Sequence, residues 1–191
     1  HLTSVFVTHD QDEALELADR VAVMRAGQIE QFDTPDRVFH QPKTRFVMNF
    51  LGSVNQFRGR LEQGKIQFGK YEYEVDGHNF VDIDQGDASV FVRPHDLELS
   101  RESKGESISA AATVLRVHSA GARVRVDLAI ETEDGANDGA KDGPDETPDE
   151  NLAAEITHQE LAELRLEPGD AVFVTLRNIR VFSDTDGIPV P

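Results

Sequence analysis

The spacing of the apolar positions changes once along the chain, near residue 53. Up to that point they recur at the intervals typical of amphipathic helices and buried strands, whereas from Val54 onward they alternate with polar positions. Alternation with a period of two is typical of strands that are buried on one face. The chain is therefore predicted to contain an α/β part over residues 1–53 and an all-β part over residues 54–191.

The first part is predicted to be a strand, a helix and a second strand, followed by two short helices. A strand–helix–strand unit is half of an α/β layer and cannot close a core alone. The predicted elements are a buried strand within residues 1–9, a helix from Asp10 to Arg20 with a capping-box-like start at Asp10 and Glu13, a strand over residues 21–24, a helix from Thr34-Pro35 to Gln41, and a helix over residues 44–51 that stops at Gly52.

Glycine and proline turns divide the second part into many short alternating segments. Such a pattern is typical of a β-barrel or a β-sandwich. One helical turn is expected over residues 158–164. The predicted strands lie at residues 56–61, 65–68, 71–75, 89–93, 97–100, 112–118, 123–130, 152–157, 172–176 and 179–182.

Residues 86–100 and 169–183 resemble each other. Both begin with Gly-Asp-Ala, continue into a Val-Phe-Val strand and end at a serine. A true duplication would give two related barrel-like lobes. Alternatively, any Gly-Asp turn before a valine-rich strand would produce this likeness, and the sequence leaves both interpretations open.

The composition excludes several classes of function. The net charge of −17 argues against a nucleic-acid partner, because neutralising phosphates requires a basic surface. The sequence has no cysteine, so disulfides and thiolate metal sites are excluded, and no metal site is predicted. No apolar run approaches the roughly 20 residues that span a bilayer. A cytoplasmic location is therefore expected.

Much of the acidic charge is concentrated between Glu133 and Asn151. This stretch has a net charge of −7, is rich in glycine and proline, and has almost no large apolar side chains. Because it cannot bury enough surface to offset its ordering entropy, residues 133–151 are predicted to form a disordered acidic loop. A calcium site is the alternative, but it would need regular D-x-D-x-D-G spacing, and the spacing here is irregular.

The first part of the chain resembles the switch-histidine region of ABC transporter ATPases. The likeness runs through VFVTHDQDEALELADRVAVM at residues 5–24 and FVMNFLG at residues 46–52. VRPHDL at residues 92–97 and PGD at residues 168–170 look like motifs of the transport-associated OB-like (TOBE) domain of importer ATPases, and FLGSVN at residues 50–55 looks most like the sulfate/thiosulfate type. The resemblance implies the end of an ABC nucleotide-binding domain over residues 1–53, followed by an OB-like TOBE barrel.

His9 is the catalytic residue that this resemblance implies. In the family it contacts the γ-phosphate of ATP and helps to hold the attacking water. A histidine at the carboxyl end of a buried strand fits that placement, because open α/β sheets bind ligands there and an imidazole can donate a hydrogen bond to developing phosphoryl charge. The simpler alternative is a polar residue that ends a strand.

The resemblance also implies cofactors and partners for a longer parent protein. These are ATP and Mg, a second copy of the ATPase subunit, and transmembrane permease subunits that hold the protein on the inner face of the membrane. The sequence contains no G-x-x-x-x-G-K-[S/T] loop, which would cradle the phosphates. Because phosphoryl transfer depends on positioning and electrostatic clamping, this chain alone is expected neither to bind nucleotide tightly nor to hydrolyse ATP.

The strands at residues 112–118 and 123–130 are predicted to form a hairpin with a second candidate site. Alternation places apolar residues on one face, namely Leu115, Val117, Ala122, Val124 and Val126. The other face is predicted to hold the basic residues Arg116, His118, Arg123 and Arg125. This cluster is interpreted as a solvated face or as a docking surface for the acidic loop or a partner subunit, or alternatively as an oxyanion site through which sulfate inhibits its own uptake.

Two further functions are weighed. One is a non-catalytic regulatory, dimerisation or oxyanion-sensing module of an importer for another substrate, such as molybdate, a sugar or a polyamine. The other is a hydrolase that uses His9 and Asp10 as acid and base. The hydrolase is disfavoured because adjacent residues at a strand end usually point apart and no partnered nucleophile is evident.

Overall fold

The computed structural model describes residues 3–68, 71–74, 80–81, 85–103, 109–130 and 151–183. The chain divides into two compact units, residues 1–53 and residues 54–191. The predicted acidic loop lies outside the described residues, except for Asn151. That residue is the first of a strand and therefore lies beyond the end of the loop.

Residues 3–53, the described part of the first unit, contain three short helices and one β-hairpin. The two strands pair antiparallel, and the turn between them is formed by Ala26 and Gly27, both with positive φ, as hairpins with two-residue turns require. The elements are α1 (Gln11–Leu17), β1 (Val21–Arg25), β2 (Gln28–Asp33), α2 (Pro35–His40) and α3 (Arg45–Phe50).

The predicted helix starts of the first unit are confirmed. Asp10, Thr34 and Thr44 are the N-caps of α1, α2 and α3, and each side chain accepts a hydrogen bond from a backbone amide in the first turn. The α2 and α3 helices pack on the inner face of the hairpin and form a small core. The buried members of this core are Val21, Val23, Val38, Val47 and Leu51.

The prediction of a buried strand within residues 1–9 is wrong for this chain. Residues 3–9 have no strand pairing, and the side chains of Val5, Phe6 and Val7 are 91%, 71% and 90% exposed. A buried strand needs hydrogen-bonded neighbours and apolar cover, and the described residues provide neither at this segment. The predicted helix from Asp10 also ends earlier than expected, at Leu17 rather than Arg20.

The described residues of the second unit form two sheets, one α-helix and a 3-10 turn, so the predicted predominance of β-structure is confirmed. The six-stranded sheet has the order β5-β4-β3-β7-β13-β6, and the five-stranded sheet has the order β11-β10-β9-β12-β8. Strand β6 was not predicted. The elements are β3 (Asn55–Glu62), β4 (Lys65–Phe68), β5 (Tyr71–Glu74), β6 (Phe80–Val81), β7 (Gly86–Val92), β8 (Leu97–Ser100), β9 (Ser109–His118), β10 (Val124–Ile130), β11 (Asn151–Ile156), α4 (His158–Leu164), β12 (Ala171–Leu176) and β13 (Arg180–Ser183).

The five-stranded sheet curls, so that its two edge strands approach each other. Strand β11 lies beside β8 and beside the 3-10 turn Pro94–Asp96, although β11 and β8 do not pair. This is the form of a partly open, OB-like barrel. One continuous core fills the barrel and extends to the six-stranded sheet, with Val90, Val114, Val126, Val174 and Val181 among its fully buried members.

The two similar sequence segments exchange strands with each other. Each forms a strand, a turn and a second strand: β7 and β8 in one copy, β12 and β13 in the other. The first strand of each copy pairs antiparallel with the second strand of the other, β7 with β13 and β12 with β8. The two turns also meet, because the Arg177 amide donates to the Asp96 carbonyl at 2.9 Å. This reciprocal pairing favours the interpretation of a duplicated unit.

Candidate functional site

His9 lies in a turn that is closed by hydrogen bonds between its two neighbours and α1. The Asp10 amide donates to Thr8 Oγ1 at 3.0 Å, and the Thr8 hydroxyl donates to Glu13 Oε2 at 2.9 Å. The Glu13 amide in turn donates to Asp10 Oδ1 at 3.1 Å. The Glu13 carboxylate therefore bonds to Thr8, rather than back to the cap residue as a full capping box would require. The three bonds form a ring around His9.

The His9 imidazole itself is exposed, as are the apolar side chains that precede it. An accessible imidazole on a defined turn can donate a hydrogen bond to an anionic ligand or exchange a proton with it. The sequence prediction placed His9 at the end of a strand. In the structure it precedes a helix but does not follow a strand, so the turn supplies the only local order around it among the described residues.

The predicted basic cluster is only partly assembled. Arg116 and His118 on β9 and Arg125 on β10 lie on the exposed outer face of the five-stranded sheet, with His118 opposite Arg125 in the register. Arg123 is not on this face, because β10 begins at Val124 and Arg123 lies in the preceding loop. The hydrogen bonds with Thr157 lower the pKa of the Glu160 carboxyl on α4. The charge of Arg123 lowers this pKa as well, to a smaller extent.

Two acidic residues that were not predicted as part of this cluster lie among the basic ones. Asp127 contacts both neighbours, His118 Nε2 at 3.3 Å and Arg125 Nε at 2.9 Å, and it lies opposite Arg116 in the register. Glu155 on β11 lies opposite Arg125. Asp127 could have been found from the sequence, because it shares the alternation of Arg123 and Arg125. The face is therefore of mixed charge, which is less suited to an oxyanion than the predicted all-basic cluster.

A β-bulge changes the predicted apolar face of this hairpin. Asp127 pairs with Arg116, but the next residue, Leu128, pairs with Val114, so Leu115 has no partner of its own. Leu115 is consequently 40% exposed instead of buried. A bulge reverses the inward and outward alternation of the strand that contains it. Ala122, also predicted on the apolar face, is exposed in the loop, whereas Val124 and Val126 are buried as predicted.

The VRPHDL motif places an arginine in the interior, beside the turn where the duplicated segments cross. Arg93 is 4% exposed, and burial lowers the pKa of its guanidinium, while the nearby Asp96 carboxylate acts in the opposite direction. The Asn178 side chain donates to Asp96 Oδ1 at 2.7 Å, and Arg177 forms an ion pair with Glu98 at 3.0 Å. These contacts tie the two crossing turns together, so the motif has a structural role in this unit.

Comparison with known proteins identifies similar proteins and a matching family model. The model of the CysA C-terminal regulatory domain matches residues 55–99. The sulfate/thiosulfate import ATP-binding protein CysA of Nitrosomonas europaea is 41% identical over 182 residues, which are 95% of this chain and 46% of that protein. The protein of the same name from Bacillus cereus strain ATCC 14579 is 42% identical over 186 residues, 97% of this chain and 47% of the relative.

Nearly the whole length of the chain is thus similar to ATP-binding proteins of import systems. The particular relatives are sulfate/thiosulfate import ATP-binding proteins, and residues 55–99 match the model of the CysA C-terminal regulatory domain. The chain spans about half the length of the curated relatives that it matches.

One solved structure is a looser neighbour. The cytoplasmic molybdate-binding protein ModG is 17% identical and covers 66% of this chain and 94% of its own, with a TM-score of 0.46. Within the described ranges, no helix has the length and apolar character needed to cross a membrane.

Proposed function

We propose that this chain is the second half of the ATP-binding subunit of a sulfate/thiosulfate importer, and that His9 contacts the terminal phosphate of ATP in the complete subunit. The observation that carries this proposal is the identity of about 40% with sulfate/thiosulfate import ATP-binding proteins over nearly the whole chain. Residues 1–53 would complete the nucleotide-binding domain, and residues 54–191 would form the regulatory TOBE domain.

The exposed apolar surface of the first unit supports the proposal that residues 1–53 are one part of a larger nucleotide-binding domain. The outer face of the β1–β2 hairpin presents Met24 opposite Ile29 and Ala22 opposite Phe32, and Met24, Ile29 and Phe32 are each more than half exposed. Contiguous apolar surface of this kind marks an interface. Other parts of the nucleotide-binding domain would cover the exposed VFV segment at residues 5–7.

The proposed parent uses ATP and Mg, pairs with a second copy of itself and couples to transmembrane permease subunits at the inner face of the membrane. In that complex His9 would donate a hydrogen bond to the charge that develops on the transferred phosphoryl group. This chain's own residues include no phosphate-cradling loop, so His9 would be one contact among several that the rest of the subunit supplies. The chain alone is therefore expected to hydrolyse no ATP.

The His9→Ala substitution in the complete subunit, reconstituted with its permease, tests the proposal. Removal of one donor to the transition state typically lowers kcat by about 100-fold or more, so ATP hydrolysis and sulfate uptake should both fall by roughly that factor. His40→Ala is the matched control. His40 is also an exposed histidine at a helix end, but it is the last residue of α2 and not part of the turn before α1. Full ATP turnover in His9→Ala would refute the assigned role.

A further inference from the structure

The hydrogen-bond ring around His9 does more than cap α1. The cap requires only that the Asp10 side chain accept from the Glu13 amide, and that bond is present. Thr8 adds two bonds that no helix cap needs, one from the Asp10 amide and one to the Glu13 carboxylate. The additional bonds therefore constrain the residues on both sides of His9, at positions 8 and 10.

A hydroxyl is required at position 8, because Thr8 Oγ1 accepts and donates at the same time. Thr8 and Glu13 are both half-buried, whereas the His9 side chain between Thr8 and Asp10 is exposed. Fixing the peptides on both sides of a residue limits the directions that its side chain can take. The hydrogen-bond ring thus limits the orientations of the His9 side chain, while the imidazole nitrogens stay accessible to a ligand.

We infer that Thr8 and Glu13 are positioning residues, which hold the His9 imidazole in the orientation needed to reach the terminal phosphate. The inference rests on the proposed function of His9 and extends it to two residues that touch no substrate. A misplacement of about 1 Å in a reacting group can lower the rate by orders of magnitude, so such residues affect turnover without any contact of their own.

Thr8→Val and Thr8→Ser in the complete subunit, assembled with its permease, test this role. Valine keeps the shape of threonine but lacks the hydroxyl, so we expect kcat for ATP hydrolysis to fall about 10-fold with the KM for ATP changed less than about twofold. Serine keeps the hydroxyl and should restore most of kcat. Glu13→Gln should lower kcat as well, because the charged acceptor is lost.

Asp12→Asn is the control for the charge change. Asp12 is an exposed carboxylate in the same first turn of α1, so its loss alters the helix-end electrostatics equally and leaves the ring intact. It should retain full kcat. Amide exchange in this chain itself gives an independent readout: the Asp10 amide should exchange faster in Thr8→Val but not in Thr8→Ser, while the Ala14 amide, bonded to the Asp10 carbonyl, stays protected.

The outcomes separate this inference from the function on which it rests. If His9→Ala abolishes turnover while Thr8→Val and Glu13→Gln retain it, the positioning role is wrong and the proposed function stands. If His9→Ala is fully active, the proposed function fails. An equal loss of kcat in Thr8→Val and Thr8→Ser would also contradict the positioning role, because the hydroxyl would then be irrelevant.

Discussion

At the scale of single residues, the side-chain amide of Asn55 makes hydrogen bonds with a strand edge that a neighbouring strand would otherwise make. The Asn55 Nδ2 donates to the Ala153 carbonyl at 2.9 Å, and the Ala153 amide donates to Asn55 Oδ1 at 2.8 Å. The amide group therefore pairs with β11 as a backbone rung would, on the edge that β8 approaches but does not pair with. Asn55 is 7% exposed, so these bonds replace water at the open seam of the barrel.

Asn55→Ala should lower the free energy of unfolding by about 2 kcal/mol, because it leaves the partly buried amide and carbonyl of Ala153 without their partners. Chemical denaturation monitored by circular dichroism would measure the change. Asn151→Ala is the matched control, since Asn151 is exposed at the start of β11, and it should change stability by less than about 0.5 kcal/mol. Equal effects of the two substitutions would contradict the seam role of Asn55.

At the scale of elements, α4 is held at both ends. The Thr157 side chain and the Glu160 carboxylate form a full capping box at its start, and His158 Nε2 lies 2.8 Å from the Gly121 carbonyl in the β9–β10 loop. At its end, the Arg101 guanidinium donates to the Leu164 and Arg165 carbonyls and to Asp170 Oδ2. The helix is therefore fixed between the β9–β10 loop and the residue that follows β8.

The Arg101–Asp170 contact should make part of the stability depend on pH. The hydrogen bond from Arg101, and then that from the Glu167 amide, lower the pKa of Asp170 below its ordinary 3.8. A carboxyl whose pKa is lowered by folding stabilises the native state at pH values above the unfolded pKa, and this contribution is lost as the pH falls through the folded pKa. Asp170→Asn should thus destabilise the protein at pH 7, and its difference from the parent should shrink below pH 3.8.

Urea denaturation of parent and variant at neutral and acidic pH would measure this difference. Asp87→Asn is a suitable control, because Asp87 occupies the equivalent Gly-Asp position in the other duplicated segment but is exposed on β7. It should alter the urea midpoint less than Asp170→Asn at pH 7. A pH-independent deficit in Asp170→Asn would show that the lost packing, rather than the charge, matters.

At the scale of the whole molecule, each of the two units has its own core. The buried apolar cluster of the first unit uses only residues from Val21 to Leu51, and that of the second begins at Leu61. The first cluster is small, and the same unit leaves Val5, Phe6 and Val7 largely exposed. The second cluster spans both sheets and contains most of the buried aliphatic side chains among the described residues.

A chain cut between Ser53 and Val54 should therefore give one stable product and one unstable product. We expect residues 54–191 alone to unfold cooperatively, with a Tm within a few degrees of the corresponding transition in the intact chain, because the intact core accounts for its stability. Residues 1–53 alone should show little cooperative unfolding. Calorimetry of both pieces would measure this, and a molten 54–191 piece would contradict the assignment of independent cores.

The sequence by itself determined the features that depend on local periodicity and on chemistry within a few residues. The change of period at residue 53, most strand positions after it, the α4 helix, the N-caps Asp10 and Thr34 and the start of a helix near Thr44 were all predicted, because alternation and caps act between near neighbours. His9 was singled out in the same way, from a run of residues that matches a family motif, and its role remains a proposal.

Tertiary structure alone decided the features that depend on which strands lie side by side. The β9 bulge that exposes Leu115, the placement of Glu155 opposite Arg125 and the reciprocal pairing of the duplicated segments all arise from the register between paired strands, which the sequence pattern of one strand does not specify. The VFV run at residues 5–7 shows the converse, because it has the pattern of a buried strand but lacks strand neighbours in the described chain. Local sequence sets what a segment can become, whereas pairing and burial set what it is, because both require groups from elsewhere in the fold.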